Sequence, residues 1–179
     1  MRSLLWVAIM GLCSTPLLAA SPQGFSFAHK DWELACDNTG TCRAAGYGAT
    51  MGEVSVLLTR NAGAAQHVIA VATFAQTERD IPPDATVNLF IDDRDNGPLE
   101  AADESHFRFD DTQTAALIQA LEHNGKIELA LNGERKTLSD AGSSAVFLKM
   151  DEFQQRLGTA DALLRQGDAE DRKSTRLNS

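Results

Sequence analysis

From residue 32 to residue 91 the chain is a succession of short apolar or β-branched runs, at 32–36, 43–47, 54–59, 68–74 and 86–91, separated by clusters of Gly, Asn and Pro. Runs this short, with alternating polarity, suit strands that bury one face, and the turn formers between them favour hairpins over crossover helices. The pattern therefore predicts an antiparallel sheet. Two later runs, 126–131 and 134–138, flank Asn132 and Gly133. Both of these residues reach positive φ at low cost, which makes the pair a strong hairpin signal.

The period changes in the second half. Asp111 is positioned to cap a helix through His123 in which Thr114, Leu117, Ile118 and Leu121 share one face, with Gly125 beyond it as terminator. A second helix is expected from Ser139 or Asp140, placing Val146, Met150, Phe153 and Leu157 on one face and stopping at Gly158. Thr159 is placed to cap a further turn through Leu164. Strands first and helices later, without strict alternation, predict an α+β fold: a mainly antiparallel β-sheet or sandwich with two to three helices in the second half.

The ends of the chain carry different signals. Arg2, the apolar run 4–12 and the small-residue exit at Ala19 and Ala20 have the layout of a secretory signal peptide, residues 1–20, with cleavage expected after Ala20. The apolar run is far shorter than the roughly 20 residues of a bilayer span. Cys13 follows Leu12, where a lipid-attachment box wants a small residue, so a lipid anchor is not expected. Residues 171–179, DRKSTRLNS, match the codon-by-codon translation of a common sequencing-library adapter and are expected to be an artefact rather than fold. That leaves 21–170 as a single domain, expected to be the N-terminal part of a longer protein.

Export places Cys36 and Cys42 in an oxidising compartment, where a close, even pair reads as a disulfide. Asn38 and Gly40 lie between them as turn formers, so the bridge is expected to pin a connection between strands. Two intervening residues ahead of a helix, the thioredoxin arrangement, are absent, so the bond is read as structural.

The whole chain carries 16 Lys and Arg against 25 Asp and Glu, a formal charge of −9. Setting aside both termini removes four basic residues (Arg2, Arg172, Lys173, Arg176) and one acidic residue (Asp171), leaving −12. Such a surface disfavours nucleic acid and anionic lipid, because phosphate binding depends on Lys and Arg displacing counterions. The partner classes left are a protein or a small ligand, with a basic one suited to the charge; no stable membrane insertion is expected.

No complete catalytic constellation is legible. Asp92, Asp93 and Asp95 in DDRDNG invite a calcium reading, but aligning Gly97 with the loop glycine puts Arg94 at a ligand position, so 95–97 reads instead as a tight turn. His29, His67, His106 and His123 lack ligand-pair spacing, and neither a metal nor a cofactor is expected. A G-x-S-x-G elbow and a Walker loop are missing. Asp103 and Glu104 with His106 form a possible acid/base group, but Phe107 and Phe109 beside them suit another strand. Lys149 and Asp151 flank Met150 and are read as the solvated face of the second helix. The most distinctive local chemistry is His29, Asp31 and Trp32, a candidate ligand-binding group. Trp32 packing on the disulfide in the core is the preferred reading of that residue.

Three strings, HKDWELACDNTGTCRAAGY (29–47), SVLLTR (55–60) and LSDAGSSAVFLKMDEFQQRLGTADALLRQG (138–167), resemble the bacterial family named domain of unknown function 1176. That family is similar, more distantly, to the invasion-associated locus B proteins, through a tryptophan-then-cysteine opening and a late helix. The resemblance implies an exported protein without an established activity, longer than this chain and with a further cysteine-containing region. Taken together, the readings point to a periplasmic or secreted, non-enzymatic binding module of the cell envelope. The alternatives are an envelope hydrolase whose site is completed by a C-terminal region, and an acidic inhibitor of a basic wall-cleaving enzyme.

Overall fold

The computed structural model describes residues 23–50, 52–74, 85–103 and 105–164. The expected signal peptide with Ala20, and the 171–179 stretch, lie outside the described residues.

The first half is a set of hairpins. Strands β1 (Phe25–His29), β2 (Trp32–Cys36), β3 (Cys42–Tyr47), β4 (Val54–Arg60) and β5 (Val68–Phe74) pair in order, all antiparallel. Strands β6 (Val87–Ile91) and β7 (Arg94–Pro98) form a hairpin, followed by β8 (Glu100–Ala101) and β9 (His106–Arg108). After helix α1 (Asp111–Glu122) come β10 (Ile127–Leu131), β11 (Glu134–Leu138) and helix α2 (Ser143–Phe153). The strands make two sheets, ordered β1-β2-β3-β4-β5-β9-β8 and β11-β10-β6-β7. Among the described residues the expected α+β class, the antiparallel sheets, the Cys36–Cys42 disulfide and two helices of the second half are present, while 159–164, expected to add a further helical turn, forms turns and bends.

Alternation decides which face is buried. In β2, Trp32, Leu34 and Cys36 point inward, as do Val54, Val56, Leu58 and Arg60 in β4. α2 covers the inner face of β1 to β3, while α1 packs against β5, β6 and β10. Leu117 and Leu121 of α1 meet Val146, Phe147 and Met150 of α2 in one continuous core.

The boundaries differ from expectation where side chains compete for backbone groups. Asp110, not Asp111, caps α1, because Gln113 at the third helical position completes a capping box: Asp110 accepts from the Gln113 N–H at 2.7 Å and Gln113 Oε1 accepts from the Asp110 N–H at 3.0 Å. The Gln113 amide also donates to the carbonyls of Asn96 and Pro98, tying the helix start to β7. α2 begins at Ser143 after Gly142 and ends at Phe153, so Leu157 falls beyond it and is largely exposed. Asn132 and Gly133 both have positive φ and close the β10–β11 hairpin as expected. The β6–β7 turn is displaced, however: Asp92 and Asp93 take the positive φ values, and Asp95 to Gly97 belong to β7.

The disulfide joins Cys36 and Cys42, which face each other directly across β2 and β3. Trp32 stands at the other end of β2, roughly 13 Å away by strand rise. Its partners are therefore not the disulfide. The indole meets Phe147 edge-on at 5.5 Å and donates to the Ser139 carbonyl at 2.8 Å. It lies flat on Gly46, where an added Cβ would fall 2.3 Å from the ring. Gly46→Ala must push the indole off its seat, with an expected loss of about 1–3 kcal/mol. Denaturant unfolding followed by Trp fluorescence measures it, and unchanged stability with unchanged emission contradicts this packing.

Candidate functional site

The group 29–32 is an interlock rather than an open site. Asp31 Oδ2 accepts from the Ser139 hydroxyl at 2.5 Å, and the Asp31 N–H donates to the Ala141 carbonyl at 3.1 Å. Gly142 sits so close to His29 that a Cβ would lie 2.0 Å from the His29 carbonyl oxygen, and its φ of +103° is one that only glycine adopts easily. These contacts seat the loop before α2 onto the β1–β2 hairpin. Trp32 is buried, so of the three residues expected to bind a ligand, only His29 and Asp31 reach the surface.

The other expected clusters disperse. Asp92 accepts from the Lys126 N–H, Asp93 pairs with Lys126 and Arg135, and Asp95 accepts from Asn88 and from the Gly97 N–H. Each carboxylate serves a different turn or strand contact. Among the described residues no group of three or more His, Cys, Asp or Glu side chains converges as a metal site would require. Asp103, Ser105 and His106 do touch, but both the serine hydroxyl and the Asp103 carboxylate meet the same ring nitrogen, Nδ1. A hydrolytic triad needs them on opposite nitrogens. Glu104 lies outside the described residues.

The Ser105 N–H, followed by His106, holds the Asp103 carboxyl at about 2, against an ordinary 3.8.

A buried polar network, not legible as a site in the sequence, lies under the end of α2. Arg60 is 2% exposed and Asp151 is 0% exposed, with Arg60 Nη2 donating to Asp151 Oδ1 at 2.7 Å. Asp151 is thus a core partner of Arg60 and not part of a solvated face. Lys149 does face water, paired with Glu152. Arg60 also donates to Gln154 Oε1 and to the Asp161 carbonyl. Asp151 Oδ2 accepts from the Leu163 N–H at 2.7 Å and the Leu164 N–H at 3.3 Å. Gln154 donates to the carbonyls of Gly40 and Arg60. No buried side-chain nitrogen or oxygen among the described residues is left without a partner. The one signal in the sequence is register: Arg60 is in phase with Val54, Val56 and Leu58, and Asp151 lies one helical turn after Phe147.

This network positions one wall of an open groove of about 780 Å³. Ala160 to Leu164 form that wall, and His67 and Val68, at the entry to β5, also line the groove. The facing wall is a single stripe of α1, from Asp111 through Thr114, Ala115 and Ile118 to Glu122 and His123. His123 Nδ1 lies 2.8 Å from the Gln119 carbonyl. Asp161 is 3.8 Å from Arg156. Asp111 and Glu122, however, have no cation within ion-pair distance among the described residues. They sit at opposite ends of the groove, roughly 16 Å apart by helical rise. Glu122 ends α1, whose last turn contains no basic residue, and so opposes the negative end of the helix dipole.

The sequence profile of a family described as protein of unknown function (DUF1176) matches residues 26–178, and the chain belongs to that family. The matched interval takes in all but the last residue of 171–179. No curated protein and no solved structure matches the chain.

Removing one member of the buried pair strands the other. Asp151→Ala is expected to cost about 3–5 kcal/mol in denaturant unfolding, while Arg60→Met with Asp151→Leu costs less than either single change. Equal losses in all three contradict a buried pair. Because the Asp103 pKa is lowered on folding, its contribution is present above about pH 4 and is lost as pH falls through about 2. Asp103→Asn should flatten the stability profile in that window, read by acid titration of the near-ultraviolet circular dichroism.

Proposed function

We propose that this member of the DUF1176 family is an exported, non-enzymatic module of the cell envelope that holds a basic polypeptide segment in the groove along α1. The observation that carries the reading is Glu122. Among the described residues it has no cationic partner, and a carboxylate so placed at the C-terminal end of a helix is electrostatically unfavourable, so a cation arriving from a partner relieves it. Asp111 offers a second carboxylate at the far end, and Ala115, Ile118 and Val68 between them give apolar contact. The ligand that fits is a chain with two basic residues roughly 16 Å apart and apolar side chains between, because both ends of the groove are then neutralised at once. Arg60 does not oppose such a ligand, since Asp151 already neutralises it.

Export rests on the signal-like leader and is supported by the Cys36–Cys42 bond, which persists in oxidising compartments. No helix among the described residues is long and apolar enough to cross a membrane.

The test is fluorescence anisotropy with a labelled Lys- and Leu-containing peptide of matching spacing. Binding should weaken steeply between about 0.05 and 0.5 M salt. Glu122→Gln and Asp111→Asn should each lower affinity about three- to tenfold, the scale of a partly exposed charge pair. Binding indifferent to both substitutions sinks the groove as the site. N-terminal sequencing of protein recovered from the envelope fraction should begin at Ser21; a retained leader, or recovery from the cytosol, sinks export.

A further inference from the structure

We propose that the chain pairs with a second copy of itself through β1, joining two seven-stranded sheets edge to edge about a two-fold axis at Phe27. The two sheets end in four strands, and three are poor templates for pairing. β11 presents Glu134, Arg135 and Lys136 in succession, and β7 carries Arg94, Asp95, Pro98 and an irregular register against β6. β8 is two residues long and begins with Glu100. Charges, proline, bulges and brevity are the devices that keep sheet edges from associating. β1, FSFAH, has none of them: five residues in unbroken register with β2, without Pro, Lys, Arg, Asp or Glu.

The hydrogen-bond parity of the edge suits a two-fold. A two-residue link, Lys30 and Asp31, joins His29 to its cross-strand partner Trp32, which makes that pair a hydrogen-bonded one. By alternation, the N–H and C=O groups of Phe25, Phe27 and His29 face β2, and those of Ser26 and Ala28 face away. No hydrogen bond from another element reaches the outward groups of Ser26 or Ala28 among the described residues. An antiparallel copy centred on Phe27 places Ser26 opposite Ala28 of the second copy, and the reverse, closing four backbone hydrogen bonds. Phe27 then meets its own equivalent in a closely spaced non-hydrogen-bonded pair.

Side chains favour the same occupant. Phe25, Phe27 and His29 lie on the core face, opposite Cys36, Leu34 and Trp32, so the aromatic row of the core runs out onto the edge. Phe25 stacks on Phe153 at 5.8 Å and Phe27 on His29 at 6.4 Å, yet all three strand residues retain exposure. An identical strand continues the row with Phe25 opposite His29, and aromatic cross-strand pairs of this kind are stabilising. A chain this acidic resists self-association elsewhere. Here the strand sets no like charges opposite each other.

The experiment is sedimentation of the mature chain from micromolar to millimolar concentration, with amide hydrogen exchange at both extremes. Dimer mass at high concentration, with Ser26 and Ala28 amides slowing at least tenfold as it forms, supports the pairing. Ala28→Pro removes an outward N–H that β2 does not use and should leave a monomer with native Trp32 fluorescence; Ser26→Ala should still dimerise. If Ala28→Pro does not fold, the wild-type exchange data decide. A monomer at all concentrations, or a dimer in which the two amides exchange as fast as in the monomer, overturns the proposal. Peptide binding in the α1 groove involves none of these residues, so either result can fail without the other.

Discussion

The ion pair between Arg60 and Asp151 joins parts of the chain that lie 91 residues apart in sequence. One residue ends a central strand, the other lies in the last helix, and the segment 161–164 attaches to both through backbone groups. Two charges removed from water are tolerable only when each remaining donor and acceptor finds a partner. Gln154, Asp161, Leu163 and Leu164 meet that requirement here. The consequence is geometric: the wall of the α1 groove is set by the core, not by a mobile surface loop.

A second interlock does the same at the opposite end of α2. Trp32 anchors on the Ser139 carbonyl, Asp31 on the Ser139 hydroxyl, and Gly142 comes close enough to His29 that no side chain fits between. With one clamp at each end, α2 lies across β1 to β3 in a fixed orientation. The disulfide is a third, more local constraint, closing the hairpin loop whose Gly40 carbonyl accepts from Gln154. The string around Trp32 and the string running through α2 are thus two halves of one packing arrangement.

Much of the fold was legible because each strand carries its own local evidence. Trp32–Cys36, Val68–Phe74 and Glu134–Leu138 fall where apolar alternation and turn residues place them. Misplacements arise where two local signals compete. Asp110 and Asp111 are both capable caps, and only the Gln113 side chain, which also reaches back to β7, decides between them. In DDRDNG, Gly97 marks the obvious turn, yet pairing of Ile91 with Arg94 puts the reversal at Asp92 and Asp93. The groove was hardly legible at all. Its α1 stripe was visible as a helical face, but nothing local says that 160–164 lies opposite.

By itself, the sequence determined most of the strands, the presence of two helices, the antiparallel class, the disulfide and the acidic charge; β1, β7 and β8 were not legible in it. Each depends on residues close along the chain: period, turn chemistry, two cysteines six positions apart, and composition. Tertiary structure alone decided which charges are buried and, among the described residues, which carboxylates lack an ion-pair partner and which sheet edge lacks a hydrogen-bonded neighbour. Those properties belong to pairs such as Arg60 with Asp151, separated by 91 residues, and burial of a charge is favourable only once its distant partner has arrived.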